Sequence, residues 1–462
     1  MGRNIDKYVN AEVSSVIEEV IDVVNLPLQD GYEEFGVDLA SFKDATHYMS
    51  SITHSLEIKD SSTCMVLSVC NEDPFQKKGC YAFYVWDAIN IEQIPDIFAG
   101  DKKPVIGYKA IDDIPDVLYE EMSRSSAMAI VYHGEFYLMS QLALPTFSIR
   151  CSVSGDKTIN KSSLLRNMHM AEGWFDKTNR ENVTHFVYRK EEVEYNGKTT
   201  SVSKIFAALG ARYIPQKQDI LNDVIDEIVK EGVLGKMEVR TWHQDHRFTE
   251  IYLEFPDAGE DIKKTYDIKH DITPGLYLCT SDVGASSIIC RGVYRIGKAK
   301  GYAIVSEEKQ AHNKKMEAEE FVKIVDRGIF DKIRKLPETL AELFEDVLDY
   351  SRIDLSTEDG ENKNLLRVCN IIRTITNSCL KVMGKKRVDA FTTALQAEIN
   401  PQLSYTYYDI AIMLMEAPDR VEGLDSYSMS DLEKGCAKVP YTAKDIMNGK
   451  ISVKEEDLVL LP

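Results

Sequence analysis

The chain has 462 residues, too many for one ordinary hydrophobic core, so two to four domains are expected. Hydrophobic residues make up 44% and charged residues 28%, and 23 Tyr with 16 Phe exclude a chain that is disordered throughout. The 75 acidic against 55 basic residues leave a charge of −20, which on average repels a phosphate backbone and reads first as a solubility charge.

The opening residues Met1-Gly2-Arg3-Asn4-Ile5-Asp6 lack the apolar stretch of a signal peptide, and Asp6 stands where a myristoylation signal has Ser or Thr. Val13, Val16, Ile17, Val20, Ile21 and Val24 recur at helical spacing before Pro27. Strands are expected over 63–70 and 81–86, completing a small α+β unit over residues 1–130. Residues 131–315 read as a β-rich α+β core. Alternation over 185–202 around Asn196-Gly197 predicts a hairpin, because both turn residues tolerate positive φ. A helix follows, with Ile220, Leu221, Val224, Ile225, Ile228 and Val229 on one stripe, ending near Gly232. Strands are expected over 236–242, 248–255, 276–279 and 286–296.

From residue 316 to 462 the pattern turns helical. Phe321, Ile324, Val325, Ile329 and Ile333 make one face, and Leu340, Leu343, Phe344, Val347 and Leu348 another. A helix over 364–383 is apolar on much of its circumference, with Ile372 and Ile375 at its centre and Gly384 as its C-cap. A further helix covers 404–416. The expected fold class is therefore α+β, with a mostly antiparallel sheet in the middle segment and a helical C-terminal third. No window carries the apolar run of roughly 18 residues that a membrane span needs.

The nine cysteines are odd in number, without C-x-x-C spacing, and mostly set in apolar runs. They read as buried free thiols in a reducing compartment. Gly292 to Lys298 has the spacing of a phosphate-binding loop, but Ala299 replaces the magnesium-binding hydroxyl and 293–296 alternates like a strand. His243, Asp245 and His246 lie close in sequence but fall in an expected hairpin tip, so a solvated turn is favoured over a metal site. No G-x-S-x-G, H-E-x-x-H or dinucleotide fingerprint appears. Neither a cofactor nor a metal is expected, and no catalytic residue is assigned.

Arg291, Arg295, Lys298 and Lys300 form the most basic short run, and in a strand Arg291 and Arg295 share a face with Tyr294 opposite. This strip is the candidate nucleic-acid surface. Ser281, Asp282 and Gly284 read as a tight turn between strands, with the Asp side chain bonding backbone amides and Gly taking positive φ. Leu458, Leu460 and Leu461 end the chain after a charged run. Burying four side chains over 458–461 is worth roughly 6 kcal/mol, enough to hold an arm on its own or a neighbouring subunit. Ile372, Ile375 and this tail are the candidate assembly residues.

Residues 135–315 resemble the family of phage and plasmid proteins carrying domain of unknown function 932. The resemblance runs through Tyr137-Leu138-Met139-Ser140-Gln141-Leu142-Ala143, where that family opens a helix, and through Ala211-Arg212-Tyr213-Ile214-Pro215. It is clearest over 275–287, where a strand leads into Ser281-Asp282-Val283-Gly284 and a second strand. It implies a mobile-element origin and no particular activity. The expectation is a non-enzymatic phage-type protein, viral and acidic, that self-assembles as a homo-oligomer. A capsid-associated shell or connector component is one form, in the cytoplasm of a bacterial host or in the virion. Its partners would be its own copies and other phage or host proteins, with no membrane. The alternatives are an accessory factor of phage DNA metabolism that binds single-stranded nucleic acid, and an uncatalogued enzyme or inhibitor of host defence.

Overall fold

The computed structural model describes residues 33–59, 64–70, 83–85, 126–132, 135–140, 142–151, 174, 183–195, 198–232, 234–266, 271–296, 302–313, 317–330, 353–354, 361–400, 403–424 and 426–453. The expected helix over 13–24, the second C-terminal face over 340–348 and the tail residues Leu458, Leu460 and Leu461 lie outside them.

The described chain opens with strand β1 (Glu33–Gly36), helix α1 (Leu39–Ile52) and strand β2 (Thr53–Ile58). Strands β3 (Cys64–Cys70), β4 (Phe83–Val85), β5 (Ser126–Tyr132) and β6 (Glu135–Met139) follow, then helix α2 (Leu144–Cys151) and strands β7 (Thr184–Tyr195) and β8 (Lys198–Gly210). Helix α3 (Ile220–Glu231) leads into β9 (Glu238–Asp245), β10 (Thr249–Glu254), helix α4 (Pro256–Tyr266), β11 (Ile272–Thr280), β12 (Ile288–Ile296) and β13 (Tyr302–Gln310). Helix α5 (Ala318–Val325) runs on through a π-helical turn, Asp326–Phe330. The remaining helices are α6 (Glu361–Cys379), α7 (Lys385–Glu398), α8 (Tyr407–Met415), α9 (Ala417–Arg420), α10 (Ser426–Cys436) and α11 (Val439–Met447). Two short strands, β14 (Ile353–Asp354) and β15 (Ser404–Tyr405), pair beside them.

The fold is α+β. Six strands form an antiparallel sheet in the order β1-β9-β10-β11-β12-β13, and seven form a mixed sheet in the order β2-β7-β8-β6-β5-β3-β4. The pairing of β6 with β8 is parallel. The boundary expected at residue 130 does not separate two units: β5 runs across it and pairs with β6, while β2 pairs with β7 and β1 with β9. Tyr137 to Met139, where the resemblance implied a helix, belong to strand β6.

Alternation decides what each face of the six-stranded sheet meets. Ile251, Leu253, Leu276, Leu278, Ile288 and Cys290 point one way, into a core closed by α1, α3 and α5. Helix α3 supplies Leu221, Val224, Ile225 and Ile228 to that core and ends on Gly232 at φ 59. Val229, expected on the same stripe, is 53% exposed, since one residue turns about 100° around a helix. A second core lies within the C-terminal helices. Ile371, Ile372 and Ile375 of α6 are fully buried there among residues of α7, α8, α10 and α11. The broad apolar circumference of α6 is thus satisfied inside the subunit, and Ile372 and Ile375 offer no open face to a neighbour.

Candidate functional site

The sequence-flagged Arg291 leads to the site. Register across four strands places Tyr252 opposite Tyr277, Tyr277 opposite Arg291, and Arg291 opposite Glu307. This row crosses the second face of the six-stranded sheet, together with Phe248, Cys279, Val293 and Tyr302, and Ala437 after α10 packs on it. Arg291 is 6% exposed, hydrogen-bonds Glu307, and holds its guanidinium 5.0 Å from the centre of the Tyr277 ring. Arg295 donates from Nε to Glu254 at 2.6 Å. Both arginines of the expected nucleic-acid strip are therefore paired with carboxylates of the same sheet, Arg291 with one on the adjacent strand β13 and Arg295 with one on β10, two strands away. Lys298 and Lys300 lie outside the described residues. Gly292 to Ile296 are extended strand, as the alternation predicts, and do not form a phosphate cradle.

At the β1 end of this face lies a cavity of about 350 Å³, closed on the far side by Pro418 of α9 and by Met429 and Glu433 of α10. Tyr252, Tyr277 and Tyr302 contribute to its wall, with ring centroids 5.4 Å apart for Tyr252 and Tyr302 and 5.8 Å apart for Tyr277 and Tyr302. The Tyr277 hydroxyl donates to Glu250. The hydroxyls of Tyr252 and Tyr302 are buried and have no hydrogen-bond partner within the protein. Burial pushes all three phenols above their ordinary range, and carboxylates add to it: Glu254 and Glu433 at Tyr252, Glu250 at Tyr277, Glu433 and Glu250 at Tyr302. The three phenols thus stay protonated and neutral in water near pH 7.

His243 also lines the cavity. Its Nε2 stands 3.3 Å from Glu33, its Nδ1 3.9 Å from Glu250, and its ring 4.7 Å from that of Phe35. The solvated hairpin tip expected over 243–247 is corrected here. Strand β9 continues to Asp245, and His243, Asp245 and His246 are all buried. The tip is tightened by Asp245, whose Oδ1 accepts from the backbone amides of Arg247 and Phe248. The sequence missed this because strand β1, which covers the edge, comes from far away in the chain. Among the described residues no group of three or more His, Cys, Asp or Glu could hold a metal.

The turn at Ser281, Asp282 and Gly284 plays a different part. Gly284 has φ +77, as expected. The backbone amides of Val283 and Ala285 are held by Ser281 Oγ, at 3.2 and 3.0 Å, and not by Asp282. Asp282 reaches the other sheet instead. Arg189 Nη2 donates to its Oδ1 at 3.2 Å and to the His246 carbonyl at 3.0 Å, and Thr53 Oγ1 donates to its Oδ2 at 3.2 Å. The Arg189 guanidinium stacks 4.4 Å from the Phe206 ring centre. This buried cluster joins the two sheets and is structural.

Among the described residues no helix is long and apolar enough to cross a membrane. In comparisons with known proteins, no family model, no curated protein and no solved structure matches this chain.

Proposed function

We propose that the protein acts by protein–protein contact and self-assembly, as a non-enzymatic component of phage type. The observation that carries this over the nucleic-acid alternative is the pairing of Arg291 with Glu307 and of Arg295 with Glu254. An arginine already matched by a carboxylate adds little net attraction for phosphate, and the chain as a whole carries −20. A surface suited to contact lies on β1, an edge strand of the six-stranded sheet. Phe35 and Val37, on and just after it, are 64% and 69% exposed. Among the described residues no strand pairs with the outer side of β1, and an edge strand beside large exposed apolar side chains is a template for pairing with a second copy.

The test is mass by light scattering over a dilution series, with and without a single-stranded oligonucleotide. The expected result is a mass that rises with concentration, falls in a Phe35→Asp variant and does not respond to the oligonucleotide. A full-length protein that stays monomeric at every concentration sinks the assembly reading. An oligonucleotide complex that persists near physiological salt establishes the alternative. Deleting residues 454–462 in parallel shows whether the apolar tail contributes.

A further inference from the structure

We propose that a second cleft, where loops of the two sheets meet, is a binding site for a small phosphate monoester. The cleft has a volume of about 720 Å³. It is formed by the end of β8 and the loop after it (209–213), the turn between β11 and β12 (284–287), the residues after β13 (311–313) and Arg150 of α2. The charge of its wall argues for an anion. Arg150 and Arg212 line it, and none of the described lining residues is a carboxylate, in a chain with 75 acidic residues. His312 adds no negative charge in either protonation state. Asp282, two residues before Gly284, does not line the cleft, and its carboxylate accepts from Arg189 Nη2 at 3.2 Å.

Arg150 carries the argument furthest. Arg189, Arg240, Arg247, Arg291 and Arg295 are buried or half-buried, and each is paired with a carboxylate. Arg150 is half-buried too, yet no carboxylate among the described residues pairs with it. Its Nη2 donates to the Val183 carbonyl at 2.9 Å, a neutral partner. Its Nη1 makes no hydrogen bond among the described residues and lies 3.2 Å from where a Cβ on Gly210 would stand, so the glycine leaves that nitrogen uncovered. A guanidinium drawn out of water without a counter-ion is costly, and an oxyanion supplies the missing partner. Arg212, two residues beyond Gly210, is exposed and makes no hydrogen bond or ion pair among the described residues. Two guanidiniums suit a doubly charged monoester better than a singly charged diester. The remaining polar groups add donors. The Ser287 hydroxyl makes no hydrogen bond among the described residues, and Asn313 accepts from Gln310 with its carbonyl oxygen, which leaves its amide N–H groups to donate. Leu209, Ala285 and Ala311 supply apolar wall for the organic part, and the volume lies within the range of small-molecule sites.

Glycerol 3-phosphate is the probe, titrated calorimetrically into the full chain at about 150 mM salt, where attraction between distant exposed charges is screened. Glycerol and the diester dimethyl phosphate are the controls. The monoester is expected to bind at least about tenfold more tightly than the diester, and glycerol not at all. Arg150→Gln and Arg212→Gln are each expected to weaken binding at least about fivefold, while Lys385→Gln, which removes an exposed positive charge from α7, leaves it unchanged. Three results overturn the proposal: no heat of binding with the monoester, equal affinity for monoester and diester, or binding that neither arginine substitution alters. A single-stranded oligonucleotide that binds more tightly than the monoester through the same two arginines also overturns it, since the cleft is then part of a nucleic-acid surface. If Arg150→Gln proves unstable, Arg212→Gln decides the question, because that side chain makes no hydrogen bond or ion pair among the described residues.

Discussion

Arg189 and Asp282 illustrate what a buried charge demands of its neighbours. Each side chain is 3% exposed, and between them they connect β7 of one sheet to the turn between β11 and β12 of the other. Removing one partner leaves the other charge in the interior, so Arg189→Ala or Asp282→Ala should lower stability by about 3–5 kcal/mol. Replacing both, by Met and Leu, should recover most of that loss, because no charge is then stranded. Urea unfolding of the two single variants and the double variant measures the coupling, and single losses below about 1 kcal/mol would remove the pair from the list of structural ties. His312 offers a second test. Its ring stacks 5.3 Å from Tyr213 and its Nε2 lies 3.1 Å from the Ser286 carbonyl, and burial holds its pKa below the ordinary 6.5. As pH falls through 6.5 the unfolded chain takes up this proton first, so His312 withdraws stability over the interval below that value and none above it. A His312→Gln variant should therefore lose less stability than the parent between neutral pH and the folded-state pKa. Parallel slopes of stability against pH for the two proteins would count against this.

At the scale of elements, capping chemistry is explicit in helix α8. Thr406 Oγ1 accepts from the Asp409 amide at 3.1 Å, and the Asp409 carboxylate accepts from the Thr406 amide at 2.7 Å. Thr406→Ala should cost about 1 kcal/mol, readable as a lower thermal midpoint, while Thr406→Ser should cost much less. Elements of this kind are legible in a sequence because their causes are local. The hairpin of β7 and β8, the stripe and Gly232 stop of α3, and the strand–turn–strand around Gly284 each rest on residues within a few positions of one another. Other elements have distant causes. His243 and Gln244 look like a polar turn, yet they are strand because β1 pairs alongside, with Phe35 opposite His243. The partner of Asp282 lies 93 residues away on another sheet, so its carboxylate reads locally as a turn former. The apolar circumference of α6 looks like an interface until α7, α8, α10 and α11 are packed around it. The tyrosine cavity was invisible for the same reason. Its wall joins Phe35, four further strands of the sheet and helix α10, which no local pattern brings together.

For the molecule as a whole, the thiols report how completely the cores close. Six of the nine cysteines, Cys151, Cys279, Cys290, Cys369, Cys379 and Cys436, are free and buried. Burial pushes the Cys279 and Cys369 thiols up to about 11, so neither is a nucleophile near pH 7. A thiol reagent should therefore label at most three sites (nine less these six) in the native protein, and all nine after denaturation. Fast labelling of more than three native sites would mean that these cores open readily. The topology also orders events during synthesis. Glu33 pairs with Asp245, which leaves the ribosome roughly 200 residues later. Strand β1 is thus made first among the described strands, yet it can join its sheet only after β9 has emerged. Through most of translation its backbone groups and the Phe35 side chain have no native partner to meet. A nascent chain of this protein carries this unpaired strand, with its exposed Phe35, for longer than any other part of its sheet, and a chaperone that grips residues 33–37 would set when the six-stranded sheet can close.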